Sequence, residues 1–277
     1  MDFSFPSCFV KILCVICISS LFCPAISLAV PDVLTADQMA SAAEPENLFI
    51  PTPGEIFAAI DKQCKANWIS MNRDAISETS TRPQIALSLG ALITDGYIAI
   101  EAQDSQGVKN IGKDILNLAK KLNVSQSLLA RGSSLNEFAE KNQWTTLKEE
   151  LEATQNEVKA TMAEQKDQDL MILVTIGAWI RGLQATSAIV TNSYTPGAAK
   201  LLRQPAIVDY LLKKIAALPP KIQANPALVI IAAQLSKVQS LVNTSVEKPL
   251  SPETIKELHQ IAAEMMNHIL EQSPSPP

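Results

Sequence analysis

Six of the 17 prolines of this chain stand at the starts of apolar segments, and this placement is typical of helical proteins. A proline in the first helical turn costs nothing, because the N–H that it lacks has no partner within the helix. No run of alternating β-branched residues is long enough to predict a strand. The sequence therefore predicts an all-α fold, an irregular multi-helix bundle of about eight to ten helices. The prolines that mark starts are Pro53, Pro83, Pro196, Pro205, Pro226 and Pro252.

Polar residues at the edges of the apolar runs place the other helix boundaries. Thr52 with Glu55 has the spacing of a capping box, and the longest helical pattern opens near Thr146. A break is expected at residues 166–169, after which the apolar run 170–180 should be buried. Gly132 is expected to end a short helix over residues 125–131, since glycine readily takes the left-handed C-cap conformation. Another short helix is then expected to begin near Ser134.

The first 29 residues have the order of a secretory signal peptide. Lys11 precedes a short apolar core, and Ser27, Leu28 and Ala29 form a small-residue end. We therefore expect export to the periplasm or the extracellular space, with no membrane span left after cleavage. The alternative is an uncleaved amino-terminal anchor, because residues 12–29 reach the lower length limit of a spanning helix.

The chain is therefore expected to divide into four parts. Residues 1–29 are the signal peptide, and residues 30–53 form a proline-rich, exposed leader. Residues 54–272 make a single helical domain, and residues 273–277 form a disordered tail.

Two apolar segments share a glycine-containing pattern and suggest a close helix crossing. Residues 89–96 read LGALITDG and residues 176–182 read IGAWIRG. Two related helical hairpins are one explanation, and chance similarity between apolar helices is the other. Glycine within a helix costs about 1 kcal/mol relative to alanine, so these glycines need a packing reason. We expect the two helices to pack against each other at Gly90, Gly96, Gly177 and Gly182.

The same pattern places one charge of each sign beside the expected crossing. Asp95 precedes Gly96, and Arg181 precedes Gly182. We hypothesise that these side chains meet as an ion pair where the two helices cross. Solvation of both charges, or binding of an anionic ligand by Arg181, are the other interpretations.

The charge distribution indicates which kinds of partner the protein could bind. The net charge of −5 argues against nucleic acid as the main partner. Residues 137–169 are rich in acidic side chains, and residues 197–223 are basic. One interpretation of this uneven distribution is that both regions are solvated helix faces. The other is that the acidic region is a docking surface for a protein partner.

Motifs for catalysis, metals and cofactors are not recognisable. His259 and His268, the only histidines, are nine residues apart on one predicted helix and face different directions. Nucleophile-elbow and glycine-rich phosphate-binding patterns are also absent from the sequence. No catalytic, metal or cofactor residues are therefore assigned.

The sequence therefore favours an exported helical protein without catalytic activity, acting as a protein-interaction or structural module. The alternative is a small-molecule or lipid-binding bundle. In that case the helices over residues 85–100 and 170–190 would line a cavity, with Arg181 as the anion anchor.

Overall fold

A computed structural model describes residues 50–73, 81–124, 128–245 and 248–270. The described residues contain ten α-helices of six residues or more and no strand, which confirms the all-α prediction. A 3₁₀ turn, Trp68–Met71, and a four-residue helix, Pro220–Gln223, complete the regular structure. The helices are α1 (Pro53–Gln63), α2 (Arg82–Glu101), α3 (Ser105–Lys121), α4 (Leu129–Glu140), α5 (Trp144–Glu164), α6 (Gln168–Asn192), α7 (Pro196–Leu201), α8 (Pro205–Ala216), α9 (Pro220–Gln223), α10 (Pro226–Val242) and α11 (Pro252–Leu270).

The expected signal peptide and disordered tail lie outside the described residues, as does most of the leader. The end of the leader is described, and it is not exposed as expected. Pro51 and Pro53 are buried, because the chain enters α1 against the rest of the fold. The capping box of Thr52 and Glu55 forms as predicted, with the Thr52 N–H donating to the Glu55 carboxylate at 2.7 Å.

Helices α2 and α6 form the centre of the fold and run side by side in the same direction. Arg82 at the first residue of α2 pairs with Asp167 immediately before α6, at 2.8 Å. Farther along both helices, Asp95 pairs with Arg181. The central pair is covered on the α2 side by α3 and α5, and on the α6 side by α11, which in turn packs on α10.

Most of both central helices is buried by their neighbours. By length and composition alone, α2 and α6 could each cross a membrane, but their most apolar stretches are 94 % and 78 % buried inside the fold. A helix that is apolar on all sides is expected in such a position. The predicted burial of residues 170–180 is confirmed over most of its length, with Met171, Ile172 and Thr175 half-buried.

Gly90 and Gly177 are the positions at which the backbones of α2 and α6 come closest. A Cβ atom at Gly90 would overlap the Val174 carbonyl oxygen, and one at Gly177 would overlap the Leu87 carbonyl oxygen. The contacts are reciprocal, since each glycine faces the carbonyl three residues before the other. Thr94 adds a hydrogen bond across the same crossing, donating to the Ala178 carbonyl oxygen at 3.1 Å.

The other two glycines of the pattern are not at this crossing, so that part of the prediction is wrong. A Cβ at Gly96 would lie 2.9 Å from a methyl group of Leu151, which belongs to α5. A Cβ at Gly182 would meet no side chain or neighbouring helix of the described residues within 4 Å. Only one glycine in each segment therefore serves the close approach.

The sequences that follow the two glycine segments do not build equivalent structures. Helix α3 packs back on α2 and makes a hairpin, whereas α8 makes its main contacts with α10. The similarity of the two segments thus corresponds to the shared crossing and not to a pair of related hairpins.

The break predicted at residues 166–169 is confirmed, but Gly132 does not end a helix. Helix α4 continues through Gly132 and Ser134, and Gly132 has an ordinary negative φ. The left-handed position at the end of four consecutive helices is occupied instead by Gln103, Asn123, Asn142 and Lys166, with φ between 52° and 63°. Each is followed by a residue whose N–H returns to a carbonyl five residues earlier, as Asp167 does to Met162 at 2.8 Å.

Replacing Gly177 with alanine is expected to lower the free energy of unfolding by about 3 kcal/mol or more, because the methyl group would force the central helices apart. Gly182→Ala, in the same helix, is the matched control and should raise stability by up to about 1 kcal/mol, since its methyl group meets nothing. Chemical denaturation of the two variants measures both effects. Equal effects in the two variants would contradict the close approach at Gly177.

Lys166→Gly is expected to stabilise the protein by about 0.5–1 kcal/mol, because glycine takes a φ of 60° without steric cost. Lys256→Gly, at an exposed position inside α11, should instead destabilise by about 1 kcal/mol. Thermal and urea unfolding of both variants test the opposite signs. A loss of stability in Lys166→Gly would argue against the left-handed cap.

Candidate functional site

The structure brings Asp95 and Arg181 together, as hypothesised from the sequence. Arg181 Nε donates to Asp95 Oδ1 at 2.6 Å, and the two side chains are 8 % and 4 % exposed for the aspartate and the arginine respectively. Asp95 lies on α2 one turn beyond the Gly90 contact, and Arg181 lies one turn beyond Gly177 on α6. Because the two helices run parallel, the two charges lie at the same height along the helix axes.

A second arginine, which the sequence pattern did not indicate, completes the pairing of Asp95. Arg73 Nε donates to Asp95 Oδ2 at 2.7 Å, and its Nη2 contacts the same oxygen. Arg73 follows the 3₁₀ turn, in a polar stretch with no periodicity that would point it toward the core. One buried carboxylate is thus held between two guanidinium groups, which satisfy both of its oxygens.

The other two guanidinium nitrogens of Arg181 also donate hydrogen bonds. Its Nη1 donates to Gln184 Oε1 at 2.8 Å, and its Nη2 donates to the Met71 carbonyl oxygen. Arg181 therefore joins α6 to the end of the 3₁₀ turn as well as to α2. It lines neither the cavity between α2 and α3 nor the cavity between α5 and α6, so this geometry gives no support to Arg181 as an anchor for an anionic ligand.

The expected cavity between the two apolar helices is replaced by direct contact. The larger of the two cavities lies instead between α2, α3 and the end of the 3₁₀ turn, and it has a volume of about 360 Å³. We call it the α2–α3 groove. Its floor is apolar, and its walls carry carboxylates, amides and one arginine. The polar residues are Asn72, Arg73, Asp95, Asp104, Gln106, Asn110 and Asp114.

The charges around the groove are unevenly compensated. Asp95 pairs with both Arg73 and Arg181, so these three groups together carry one net positive charge. Asp104 caps α3, where its Oδ1 accepts from the Gly107 N–H at 2.8 Å and its Oδ2 accepts from Asn72 at 3.1 Å. Asp114 is half-buried and makes no ion pair or hydrogen bond with the described residues. Asp104 and Asp114 therefore leave the groove with a negative potential.

Glu101, at the end of α2, is a further buried acid that the sequence pattern did not single out. Lys148 Nζ lies 2.6 Å from Glu101 Oε1, and the glutamate side chain is 10 % exposed. Burial raises the pKa of Glu101 above its ordinary value, and the nearby Lys148 ammonium opposes that rise. The pair ties α2 to α5 next to the start of α3.

The acidic region 137–169 is partly neutralised, because five of its nine acids pair with basic residues from within and outside it. Lys141 pairs with Glu137 at 2.6 Å, and Lys109 of α3 pairs with Glu140 at 3.0 Å. Arg131 lies 3.3 Å from Glu150. Two further acids are paired as well, Glu157 with Arg131 and Asp167 with Arg82. The charge excess is therefore smaller than the composition suggests.

The structure also brings together one serine and one histidine that are far apart in sequence. Ser187 Oγ lies 3.5 Å from His259 Nδ1, but it donates to the Leu183 carbonyl oxygen and is completely buried. His259 Nδ1 faces the Gln184 carbonyl oxygen at 3.1 Å, so this nitrogen carries the hydrogen in that contact. The pair ties α11 to α6 and does not have the geometry of a base activating a nucleophile.

Among the described residues, no three side chains of the metal-binding types come close enough to hold an ion. The chain matches no protein-family model, no curated protein and no solved structure. What the fold and the site define is an all-α protein with a buried charge network beside an open, acidic groove.

Asp95→Asn is expected to lower the free energy of unfolding by about 3–5 kcal/mol, because it leaves the buried Arg181 without a counter-charge. Arg181→Met should lower it by less, because Arg73 still pairs with Asp95. The double variant should lose less than the sum of the single losses. A double-mutant cycle by urea unfolding measures this coupling, and additive losses would contradict it.

The Arg82–Asp167 pair is the matched control for that cycle, because it joins the same two helices near the surface. Its side chains are 47 % and 34 % exposed, so we expect a coupling below about 1 kcal/mol. A comparable coupling in both cycles would mean that burial does not strengthen the Asp95–Arg181 pair.

Proposed function

We propose that the protein is exported and acts by binding, without catalysis, and that its ligand is a small cationic molecule held in the α2–α3 groove. The observation that supports this most is the unpaired Asp114 carboxylate in a cavity of about 360 Å³. Cavities of this size are typical of small-molecule sites. Export rests on the signal-like pattern of the first 29 residues.

The spacing of the two uncompensated carboxylates favours an elongated ligand. Asp104 precedes α3 and Asp114 lies ten residues later, so they are about 15 Å apart along the helix axis. Between them lie the Gln106 and Asn110 amides, which are hydrogen-bonded to each other at 2.9 Å. The floor below contains Leu92, Ile98 and Ile111. A linear aliphatic diamine or polyamine would match an apolar floor with an acidic group toward each end.

A protein partner is the second candidate function, and it rests on a smaller observation. Glu149, Glu152 and Glu164 lie exposed on α5 and form no ion pair with the described residues. Together with Asp169 at the start of α6, these glutamates are the acids of region 137–169 that remain without an ion pair. A partner with a basic surface would fit them.

Native mass spectrometry of the full-length protein, purified gently from its source, separates the two candidates. A small mass that denaturation releases would support the groove, whereas a bound second protein would favour the interaction role. The mass of the released compound would also show whether it is an amine.

Spermidine and 1,8-diaminooctane are expected to bind more tightly than ethylenediamine, which is too short to approach both carboxylates. Asp114→Asn should weaken spermidine binding about tenfold, because it removes the unpaired charge. Titration calorimetry at constant ionic strength measures both effects.

Asp169→Asn, which removes one negative charge from the first turn of α6, is the control and should leave spermidine affinity unchanged. Equal weakening in both variants would mean that only the net charge matters. No preference for the longer amines would count against the groove as the site.

A further inference from the structure

A second, smaller cavity lies between α5, α6 and the start of α1, away from the α2–α3 groove. Its volume is about 30 Å³. We call it the α5–α6 recess. The side chains of Gln155 and Lys159 project from α5 one turn apart and line it, with Thr175 and Trp179 of α6 on the other side. The volume limits any occupant to water or a group of a few heavy atoms.

Each of the two polar side chains that α5 contributes to the recess has a polar group without a partner among the described residues. Gln155 is 5 % exposed, and its buried Oε1 accepts no hydrogen bond from the described residues. A buried acceptor without a donor costs about 1–3 kcal/mol, so a partner for it would be stabilising. A glutamine side chain is uncommon at a buried position unless its oxygen accepts a hydrogen bond.

Lys159 adds an uncompensated positive charge to the same recess. It is half-buried, and it forms no ion pair or hydrogen bond with the described residues. Its loss of hydration lowers the pKa of the ammonium below its ordinary value. An anion beside Lys159 would restore the interaction that burial removes.

The other polar groups around the recess are already engaged. Thr175 Oγ1 donates to the Met171 carbonyl oxygen at 3.1 Å, and Trp179 Nε1 donates to Gln204 Oε1 at 2.9 Å. Thr52 is committed to the capping box with Glu55. An occupant of the recess would therefore contact one cationic hydrogen-bond donor, Lys159, and one amide oxygen that accepts no hydrogen bond, that of Gln155.

We infer that the α5–α6 recess is a binding site for a small oxyanion that retains one hydrogen, of which hydrogen phosphate is an example. Lys159 supplies the charge and donates to the oxyanion, while the hydroxyl hydrogen of the oxyanion is donated to Gln155 Oε1. Ile50, Pro51 and Ile56 give the recess an apolar wall. The site is independent of the α2–α3 groove and of the function proposed for it.

Phosphate and sulfate are the discriminating probes, because they share size and shape but sulfate has no hydrogen to donate near neutral pH. We expect phosphate to bind the full chain at least about tenfold more tightly than sulfate at about pH 7 and matched ionic strength. Binding is measured by calorimetry and by the rate at which an amine reagent modifies Lys159, read by mass spectrometry. Bound phosphate should slow that modification selectively.

Two variants assign the two roles. Lys159→Met should weaken phosphate binding at least about tenfold, while Lys256→Met, at an exposed position of α11, should not change it. Gln155→Met keeps the charge and should remove only the preference for phosphate over sulfate. Because methionine needs no hydrogen-bond donor, this variant should remain as stable as the parent protein.

Equal binding of phosphate and sulfate would overturn the inference, since it would show a general response to anions. Loss of binding in Lys256→Met to the same extent as in Lys159→Met would do the same. If neither anion binds or slows the modification of Lys159, the inference is wrong and the recess holds only water. Amine binding in the α2–α3 groove should be unaffected in every case.

Discussion

The contact between the backbones of α2 and α6 at Gly90 and Gly177 is the constraint on which the rest of the fold depends. At this crossing, each helix lacks a side chain where the other presents a carbonyl group. The approach is so close that even alanine would overlap a backbone oxygen, which cannot move without moving its helix. The remaining helices surround this pair, and their positions follow from how α2 and α6 are placed.

The buried ion pair is a second restraint on the register of that contact, that is, on the position of α2 along α6. The glycine contact already disfavours sliding, because a shift of one turn would bring a side chain against a backbone carbonyl oxygen. Sliding α2 along α6 by one turn would separate Asp95 from Arg181 and leave Arg181 buried without a counter-charge, at a cost of several kcal/mol. The ion pair therefore excludes the alternative registers more than it strengthens the correct one.

Sequence patterns predicted the parts of this structure that depend on local chemistry. The helix starts at Thr52, Pro196, Pro205 and Pro226 follow from capping and from proline geometry, and all of them occur. The meeting of Asp95 and Arg181 could be predicted because both lie beside small residues on apolar helices.

The features that could not be predicted depend on contacts between distant segments or on weak local preferences. Arg73 reaches Asp95 from a stretch without periodicity, and the cap at Lys166 uses a residue with no preference for a positive φ. The lining residues of the α2–α3 groove and the α5–α6 recess come from separate helices, so neither cavity has a pattern of its own.

The charge network also determines the character of the α2–α3 groove. Without Arg73 and Arg181, the Asp95 carboxylate would add a third negative charge to its wall, and the groove would attract cations without positional selectivity. With both arginines in place, that region carries one net positive charge, and the uncompensated negative charge is confined to Asp104 and Asp114 at separate positions along α3. The same interaction that fixes the register of the central helices therefore concentrates the negative potential at two points, which is the arrangement that selects a ligand by length.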